Sequence, residues 1–240
     1  MRNIVAFISR RSVLRPIGIG VLTVVLGLMA STYLAAQDKP APAKTDKPDA
    51  GQQDKPATGQ ADDASMLALK NPGFEDGDKA PAGWEEGAAI DGVQYVWDKN
   101  VGQKSRASLC IKKTAERYFP IAEWRQTVAN TGQTSKLKLT AFVKAEKAYK
   151  GLLDVTFIGK DGSATHQWAA YIGVKAKGDP PANHDWREYS GVVAIPKDTA
   201  KVCISLQMYG PGTLWFDNIS ARYVPDATPV SLYDEKGNFK

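Results

Sequence analysis

Cysteine, histidine and catalytic motifs are scarce in this sequence of 240 residues. Two cysteines are too few for a disulfide-dense scaffold or a four-ligand zinc site, and the two histidines lie in separate stretches that make weak metal ligands. The sequence contains no Gly-x-Gly-x-x-Gly motif, phosphate-binding loop or His-Glu-x-x-His motif. Because the sequence contains no recognisable set of catalytic residues, we expect a binding protein rather than an enzyme.

Positive charge is also scarce in most of the chain. The formal charge is +5, but four of the 31 basic residues lie within the first 15 positions, where there is no acid. The rest of the chain therefore carries 27 basic and 26 acidic side chains. A nearly neutral chain without a basic run lacks the electrostatic attraction that nucleic acid binding requires, so nucleic acid is excluded as a partner.

The first 36 residues are typical of an export segment. Arginines precede residues 17–36, which carry no charge. That length fits a membrane-spanning helix, while Leu34-Ala35-Ala36 resembles a signal-peptidase site, so a cleaved signal peptide and an uncleaved membrane anchor both stay open. Either way we expect an extracytoplasmic protein (secreted, periplasmic or in the cell envelope), which touches the membrane only through this segment if the segment stays uncleaved.

Low-complexity sequence separates this segment from the folded part. Residues 37–64 are rich in Ala, Pro, Lys and Asp and repeat Asp-Lys-Pro three times, which predicts a disordered, extended linker. Residues 225–240 are expected to form a flexible tail. The folded domain is therefore predicted to span residues 65–224, about 160 residues, which is enough for one sizeable core.

The predicted domain consists of short strand-like runs separated by Gly, Pro and Asn. Apolar residues alternate with polar ones, as at Leu137, Leu139, Ala141 and Val143, so each strand has one buried and one wet face. This pattern predicts an all-β, antiparallel two-sheet β-sandwich. Segment 175–185 is predicted to be a long surface loop. The predicted strands are residues 108–112, 122–128, 136–144, 151–158, 168–174, 188–195, 201–209 and 213–223.

The two cysteines each lie on the face opposite the aliphatic residues of their strand. A disulfide between Cys110 and Cys203 is possible only if the two strands are neighbours. Two unpaired thiols are the alternative.

Four motifs, taken in order, resemble the galactose-binding-like jelly roll and, more narrowly, the CenC-type carbohydrate-binding modules of bacterial glycoside hydrolases. The resemblance covers roughly residues 67–224 and implies a module that binds polysaccharide or oligosaccharide; we expect a monomer. The motifs are Asn71-Pro72-Gly73-Phe74-Glu75, Pro81-Ala82-Gly83-Trp84, Trp186-x-x-Tyr189-x-Gly191 and Leu214-Trp215-Phe216-Asp217-Asn218-Ile219.

The resemblance also implies a structural calcium ion that ties the first strand to the last. Its carboxylate ligands would be Glu75 and Asp217, with backbone carbonyls near Asn71 and Lys104. In the alternative without metal, Glu75 caps a turn and Asp217 accepts backbone hydrogen bonds.

Aromatic residues point to a sugar site, because sugar rings stack their C–H faces on Trp and Tyr. Trp84, Trp186 and Trp215 are expected to pack structurally. The predicted rim and floor of a glycan groove, with one secondary hydrogen-bond donor, Arg125, are Tyr118, Trp124, Trp168, Tyr171 and Gln207.

The favoured function is thus an exported, non-catalytic carbohydrate-binding module. Sugar hydrolysis needs two carboxylates at the scissile bond, and nothing in the sequence brings the outward-facing strand acids Glu123 and Asp154 together. One alternative is an extracytoplasmic protein-interaction or scaffold domain, because Phe142 is the only aromatic residue on the wet face predicted for 136–144 and 151–158. Another is an accessory part of a glycoside hydrolase system.

Overall fold

The computed structural model describes residues 65–232. The predicted export segment and linker, residues 1–64, and the end of the predicted tail, residues 233–240, lie outside the described residues. Within the described range, no helix has the length and apolar character needed to cross a bilayer.

The described residues form two five-stranded antiparallel sheets, which confirms the predicted all-β sandwich. The front sheet has the strand order β1-β4-β9-β6-β7, and the back sheet has the order β2-β3-β10-β5-β8. The strands are β1 (Glu85–Glu86), β2 (Val93–Asp98), β3 (Ser108–Lys113), β4 (Ala122–Ala129), β5 (Lys136–Ala148), β6 (Lys150–Gly159), β7 (Ala164–Gly173), β8 (Ala182–Ala194), β9 (Thr199–Met208) and β10 (Gly212–Val224).

The core lies between the two sheets and is built from the alternation seen in the sequence. In β5, every second residue from Leu137 to Val143 is buried, and in β9 the same is true from Val202 to Met208. Burying one such aliphatic side chain contributes about 1.5–3 kcal/mol to folding. The intervening side chains face outward, so each sheet presents a second, outer face on which a site can be built.

The N-terminal residues of the domain run along β10. Met66 pairs with Arg222, the Leu67 N–H donates to the Ala221 carbonyl at 2.8 Å, and the Ile219 N–H donates to the Pro72 carbonyl at 2.9 Å. The two ends of the domain are therefore neighbours, as the expected tie between the first and last strands requires.

The two carboxylates of this tie both hold the loop that precedes β3. Glu75 Oε1 accepts from the N–H groups of Arg106 (3.0 Å) and Ala107 (2.7 Å). Asp217 Oδ2 accepts from the Gln103 N–H and the Ser105 hydroxyl, each at 2.7 Å. Burial raises the pKa of Asp217, and its hydrogen-bond donors offset part of that rise, while the negative charge of Glu75 adds to it.

The surroundings of Glu75 and Asp217 fit a metal-free tie better than a calcium site. Calcium takes six to eight oxygen ligands, whereas the groups that face these carboxylates are N–H and O–H donors. No group of three or more His, Cys, Asp or Glu side chains is arranged for a metal ion within residues 65–232. The calcium ion stays a prediction of the family resemblance.

The two cysteines are free and lie in different sheets, so the possible disulfide between Cys110 and Cys203 does not form. Cys110 is buried on β3, and this burial raises the pKa of its thiol to about 12. Cys203 is half-buried on β9. The expectation that each cysteine faces away from its strand's aliphatic residues is confirmed, since Leu109, Ile111, Val202 and Ile204 all belong to the core.

The start of the predicted flexible tail packs on the domain instead. Val230 is buried, the Ser231 N–H donates to the Val192 carbonyl at 2.9 Å, and the Val192 N–H donates to Ser231 Oγ at 2.8 Å. Val192 belongs to β8, the outermost strand of the back sheet, so this segment covers part of an open sheet edge. The tail prediction is therefore wrong for residues 225–231.

The predicted loop 175–185 is shorter than expected, because β8 begins at Ala182. Asp179 closes it by accepting hydrogen bonds from the N–H groups of Lys175 (3.1 Å) and Ala176 (2.7 Å).

Candidate functional site

The outer face of the front sheet is the candidate site, and strand pairing arranges its side chains in rows. On β4, β9 and β6 the residues between the core positions point to this face, which brings polar and aromatic groups together from four strands. The rows, from β4 to β7, are Glu123, Gln207, Leu152 and Tyr171; then Arg125, Ser205, Asp154 and Trp168; then Thr127, Cys203, Thr156 and His166.

One end of this face is a cluster of aromatic rings around the ammonium of Lys150. Lys150 Nζ lies 4.4 Å from the ring centroid of Tyr209, 4.8 Å from Trp168, 5.7 Å from Tyr171 and 6.0 Å from Tyr118. At these distances each ring face attracts the cation. We call this group, together with Phe119, the aromatic end of the front sheet.

A buried lysine holds the loop that brings Tyr118 and Phe119 to the aromatic end. Lys113 Nζ donates to the carbonyls of Tyr118 (3.2 Å) and Pro120 (2.8 Å). Burial lowers the pKa of Lys113, and the nearby charge of Arg117 lowers it further. The loop leaves 42% of Tyr118 and 66% of Phe119 exposed, while the Phe119 ring packs edge-on against Tyr209 with centroids 5.8 Å apart. Two apolar ring surfaces therefore face solvent at this end.

Gln207 lies beside the aromatic end, two residues before Tyr209 on the same face. The residue is 5% exposed, and its Oε1 atom is buried without a hydrogen-bond partner among the described residues. A buried amide oxygen without a partner costs about 1–3 kcal/mol. A buried water can satisfy such an atom, and a ligand hydroxyl can do so once the side chain turns outward.

The acids and the arginine of this face are engaged with one another. Ser205 Oγ donates to Glu123 Oε2, and Arg125 forms ion pairs with Glu123 at 3.4 Å and with Glu85 at 3.6 Å. Arg125 is therefore on the predicted face, but two carboxylates already occupy its guanidinium.

Asp154 is buried in the middle of the face and is held by two neighbours. Its Oδ2 atom accepts from Thr156 Oγ1 at 3.2 Å and lies 3.3 Å from His166 Nδ1. Burial raises the pKa of Asp154, while the hydrogen bonds and charge of His166 and the Thr156 hydroxyl lower it, leaving a net rise.

Glu123 and Asp154 share this face, although no sequence pattern predicted that they would lie together. They lie on β4 and β6, the two neighbours of β9, so their strands are roughly 10 Å apart. A glycoside hydrolase needs both carboxylates at the scissile bond. Asp154 is 1% exposed, so its carboxylate is covered and does not meet a substrate in this conformation.

Five of the six predicted carbohydrate-binding residues reach the outer face of the front sheet. Tyr118, Trp168 and Tyr171 belong to the aromatic end, and Gln207 and Arg125 lie in the adjacent rows. The prediction for Trp124 is wrong: this side chain points into the core, is 1% exposed, and its Nε1–H donates to the Cys110 carbonyl at 3.2 Å.

Sequence reasoning missed Lys150, the residue at the centre of the aromatic end. Lys150 directly precedes the predicted strand 151–158 and has the same parity as Leu152 and Asp154, so strand alternation could have placed it on this face.

The two wet strand faces that favoured protein contact lie on opposite sides of the molecule. Residues 136–144 belong to the back sheet and residues 151–158 to the front sheet, so Phe142 and Asp154 do not share a surface. The prediction of one continuous wet face is therefore wrong.

Comparison with known proteins finds distant structural likenesses. No protein-family model and no curated protein matches the sequence. A family 22 xylan-binding module of Xyn10C from Paenibacillus barcinonensis is 12% identical over 68% of this chain and 98% of that chain, with a TM-score of 0.47.

Proteins of other kinds show similar likeness. The enzymatically active domain of tailspike protein 4 from bacteriophage CBA120 is 16% identical over 67% of this chain, with a TM-score of 0.48, and this chain spans 22% of its length. A cyclase from Fischerella sp. TAU is 17% identical over 68% of this chain and 98% of that chain, with a TM-score of 0.46. Because the identities and scores are this low, the fold described above rests on strand order, and function has to be argued from the site itself.

Proposed function

We propose that residues 65–232 act as a non-catalytic carbohydrate-binding module, with glycan held at the aromatic end of the front sheet. One observation carries this proposal: the exposed rings of Tyr118 and Phe119 adjoin Trp168, Tyr171 and Tyr209 on a single surface. Sugar rings offer C–H faces that pack on aromatic rings, so the cluster suits a saccharide better than a fully polar ligand.

Polar groups next to these rings support the same proposal. The Oε1 atom of Gln207 is buried without a partner among the described residues, so it can accept a hydrogen bond from a sugar hydroxyl once the side chain turns outward. The ring hydroxyl of Tyr171 is directed away from such a role, because it donates to the Val174 carbonyl at 2.7 Å. Tyr171 would therefore contribute its ring, and Gln207 the hydrogen bond.

Binding is tested by affinity electrophoresis against a panel of soluble polysaccharides that includes xylan, cellulose derivatives, β-glucans and acidic glycans. We expect at least one of them to retard the protein. In the Tyr118→Ala variant we expect the dissociation constant for that glycan to rise roughly threefold to tenfold, because an aromatic contact contributes about 0.5–1.5 kcal/mol beyond its buried area.

Phe142→Ala is the matched control, since this aromatic residue lies on β5 of the back sheet, away from the proposed site. It should bind like the unmodified protein. A panel in which no polysaccharide retards the protein contradicts the proposed function.

One observation favours a protein partner as the second candidate. Tyr118, Phe119 and Tyr149 are the exposed large apolar residues of the described chain, and Gly210 lies against both tyrosines, so part of this surface is a small apolar patch. A flat response to every polysaccharide, together with capture of an envelope protein that Phe119→Ser abolishes, would support this interaction role.

The location of the protein is also a proposal, based on the sequence of residues 1–36. We propose that this segment directs export and that the module acts outside the cytoplasm as a monomer. Fractionation of cells that express the full chain tests this placement, and a cytoplasmic pool of full-length protein would contradict it.

A further inference from the structure

The cation at the centre of the aromatic end lacks an anionic partner within the described chain. Four aromatic rings surround Lys150 Nζ at 4.4–6.0 Å, but no carboxylate among residues 65–232 lies within ion-pair distance of it. Aromatic faces attract an ammonium through their quadrupole and leave its full charge in place. The side chain is half-buried, and this burial lowers the pKa of Lys150.

The charged side chains in the two rows next to Lys150 are already matched. Glu123 is held by Ser205 and Arg125, and Arg125 also contacts Glu85. Asp154 is buried beside Thr156 and His166. Their mutual contacts leave Lys150 as the cation held within the ring cluster, while two further cations, Arg117 in the loop before Tyr118 and Lys201 near the start of β9, are exposed to solvent.

We infer that the aromatic end is selective for anionic glycans, with Lys150 pairing with a carboxylate or sulfate group on a sugar that stacks against Tyr118 or Trp168. The rings would hold the apolar face of the sugar, and the ammonium would meet its charged substituent. Charge-assisted hydrogen bonds are stronger than neutral ones, so the pair would discriminate between acidic and neutral sugars of the same shape.

Gln207 extends this arrangement, because it lies in the row next to the ring cluster and its buried oxygen has no partner in the described chain. With the Gln207 side chain turned outward, an acidic sugar would meet a cation at Lys150 and a neutral amide at Gln207 on the same sheet. That combination suits a ring that carries both a charged group and free hydroxyls.

This inference rests on the proposed carbohydrate-binding function, and its test separates the two. Dissociation constants are measured for three pairs of polysaccharides: glucuronoxylan and polygalacturonate, each beside its carboxyl-reduced form, and dextran sulfate beside dextran. We expect the acidic member of at least one pair to bind about fivefold tighter than its neutral counterpart at low salt, with the preference lost at high salt.

Two variants of Lys150 and one control test whether this residue causes the preference for acidic glycans. Lys150→Met should bring the acidic and neutral members of the pair to equal affinity, while Lys150→Arg should keep the preference because it keeps the charge. Lys112→Met removes an exposed lysine from β3 of the back sheet and should leave the preference unchanged. Thermal melting of each variant shows whether the fold is kept.

Each outcome has a definite meaning. A preference confined to the uronate pairs identifies a carboxylate as the anion, and one confined to dextran sulfate identifies a sulfate. Equal binding of acidic and neutral members, or an equal loss of preference in Lys112→Met, overturns the inference but leaves the proposed function standing. If no polysaccharide of this panel or of the broader panel binds, both the inference and the proposed function are wrong.

Discussion

Adjacent residues in a strand face opposite ways, and Trp124 and Arg125 show what this rule decides. In β4, Ala122, Trp124 and Gln126 are buried, whereas Arg125 reaches the outer face. A prediction that placed both Trp124 and Arg125 in one groove conflicted with the strand period of two. The parity of Trp124 with Ala122 and Val128 was therefore enough to assign it to the core from sequence.

Other residues of the site could not be placed by parity alone. Tyr118 and Phe119 lie in a loop, where no periodicity applies, and their position depends on the hydrogen bonds that Lys113 donates to the loop carbonyls. Nothing in the local sequence shows that a strand lysine is buried beneath that loop. The sequence was enough to predict that the site contains aromatic and polar side chains. Placing Lys150 at its centre required the pairing register of the strands.

The carboxyl group of Asp154 should make stability depend on pH. Burial raises the native pKa of Asp154 above the ordinary value of about 3.9. The stability that the protonated carboxyl contributes is therefore fully present below that value and is lost as pH rises through the native pKa. The side chain of Asp154→Asn stays neutral at every pH. The free energy of unfolding of this variant should therefore increase relative to that of the unmodified protein as pH rises. Urea unfolding at a series of pH values measures this.

His166→Gln provides the control for that experiment. It removes the charge of His166, which lowers the pKa of Asp154, so the loss of stability with rising pH should become larger than in the unmodified protein. Parallel pH profiles for the unmodified protein and Asp154→Asn would contradict the account of Asp154.

The two thiols should differ in reactivity. Cys110 is fully buried with a pKa of about 12, whereas Cys203 is half-buried on the outer face of the front sheet. Alkylation depends on the thiolate and on access, so iodoacetamide should label Cys203 first in the native protein and label both residues in urea. Mass spectrometry of peptides reports the order, and equal native labelling would contradict it.

Among the structural elements, regular strands were more predictable than short or irregular ones. Eight strands followed from alternation, but β1 has two residues, too few for any periodic signal. β2 was overlooked although Val93, Tyr95 and Trp97 alternate and pack against the core. The docking of residues 225–231 was not predictable, because it depends on one buried apolar residue, Val230, and on hydrogen bonds of Asp226 with Ser135 and of Ser231 with β8.

The connection between β10 and the loop before β3 should be an important source of stability. Asp217 is buried and accepts hydrogen bonds from Gln103, Ser105 and Asn218. Asp217→Ala leaves these donors without their partner, and we expect the free energy of unfolding to fall by about 3 kcal/mol. Chemical denaturation measures this, with Ser105→Ala as a milder comparison of about 1 kcal/mol.

The predicted calcium ion can be tested on the same element. Equilibrium dialysis should show one bound calcium ion, and chelation should lower the melting temperature, if Glu75 and Asp217 share a metal as the family resemblance implies. No bound calcium and an unchanged melting temperature would leave the hydrogen bonds to residues 103–107 as the whole of the connection.

At the scale of the whole molecule, the sandwich has two outer faces that differ in chemistry. The front sheet carries the aromatic end, the partnered acids and Gln207. On the back sheet a depression of about 760 Å³ is lined by residues such as Gln94, Lys112, Glu146 and Thr213. The fold class could be predicted from the sequence. The assignment of each strand to the front or the back sheet required the strand order, and the choice of the front sheet for the proposed site depended on that assignment.

The position of the glycan is best measured by isothermal titration calorimetry, with the tightest-binding glycan of the panel titrated into the unmodified protein, Trp168→Ala and Phe142→Ala. We expect Trp168→Ala to weaken binding roughly threefold to tenfold through the loss of one aromatic contact, while Phe142→Ala on the back sheet binds normally. Unchanged affinity in Trp168→Ala together with weakened affinity in Phe142→Ala would place the glycan on the opposite sheet and rule out the aromatic end as its site.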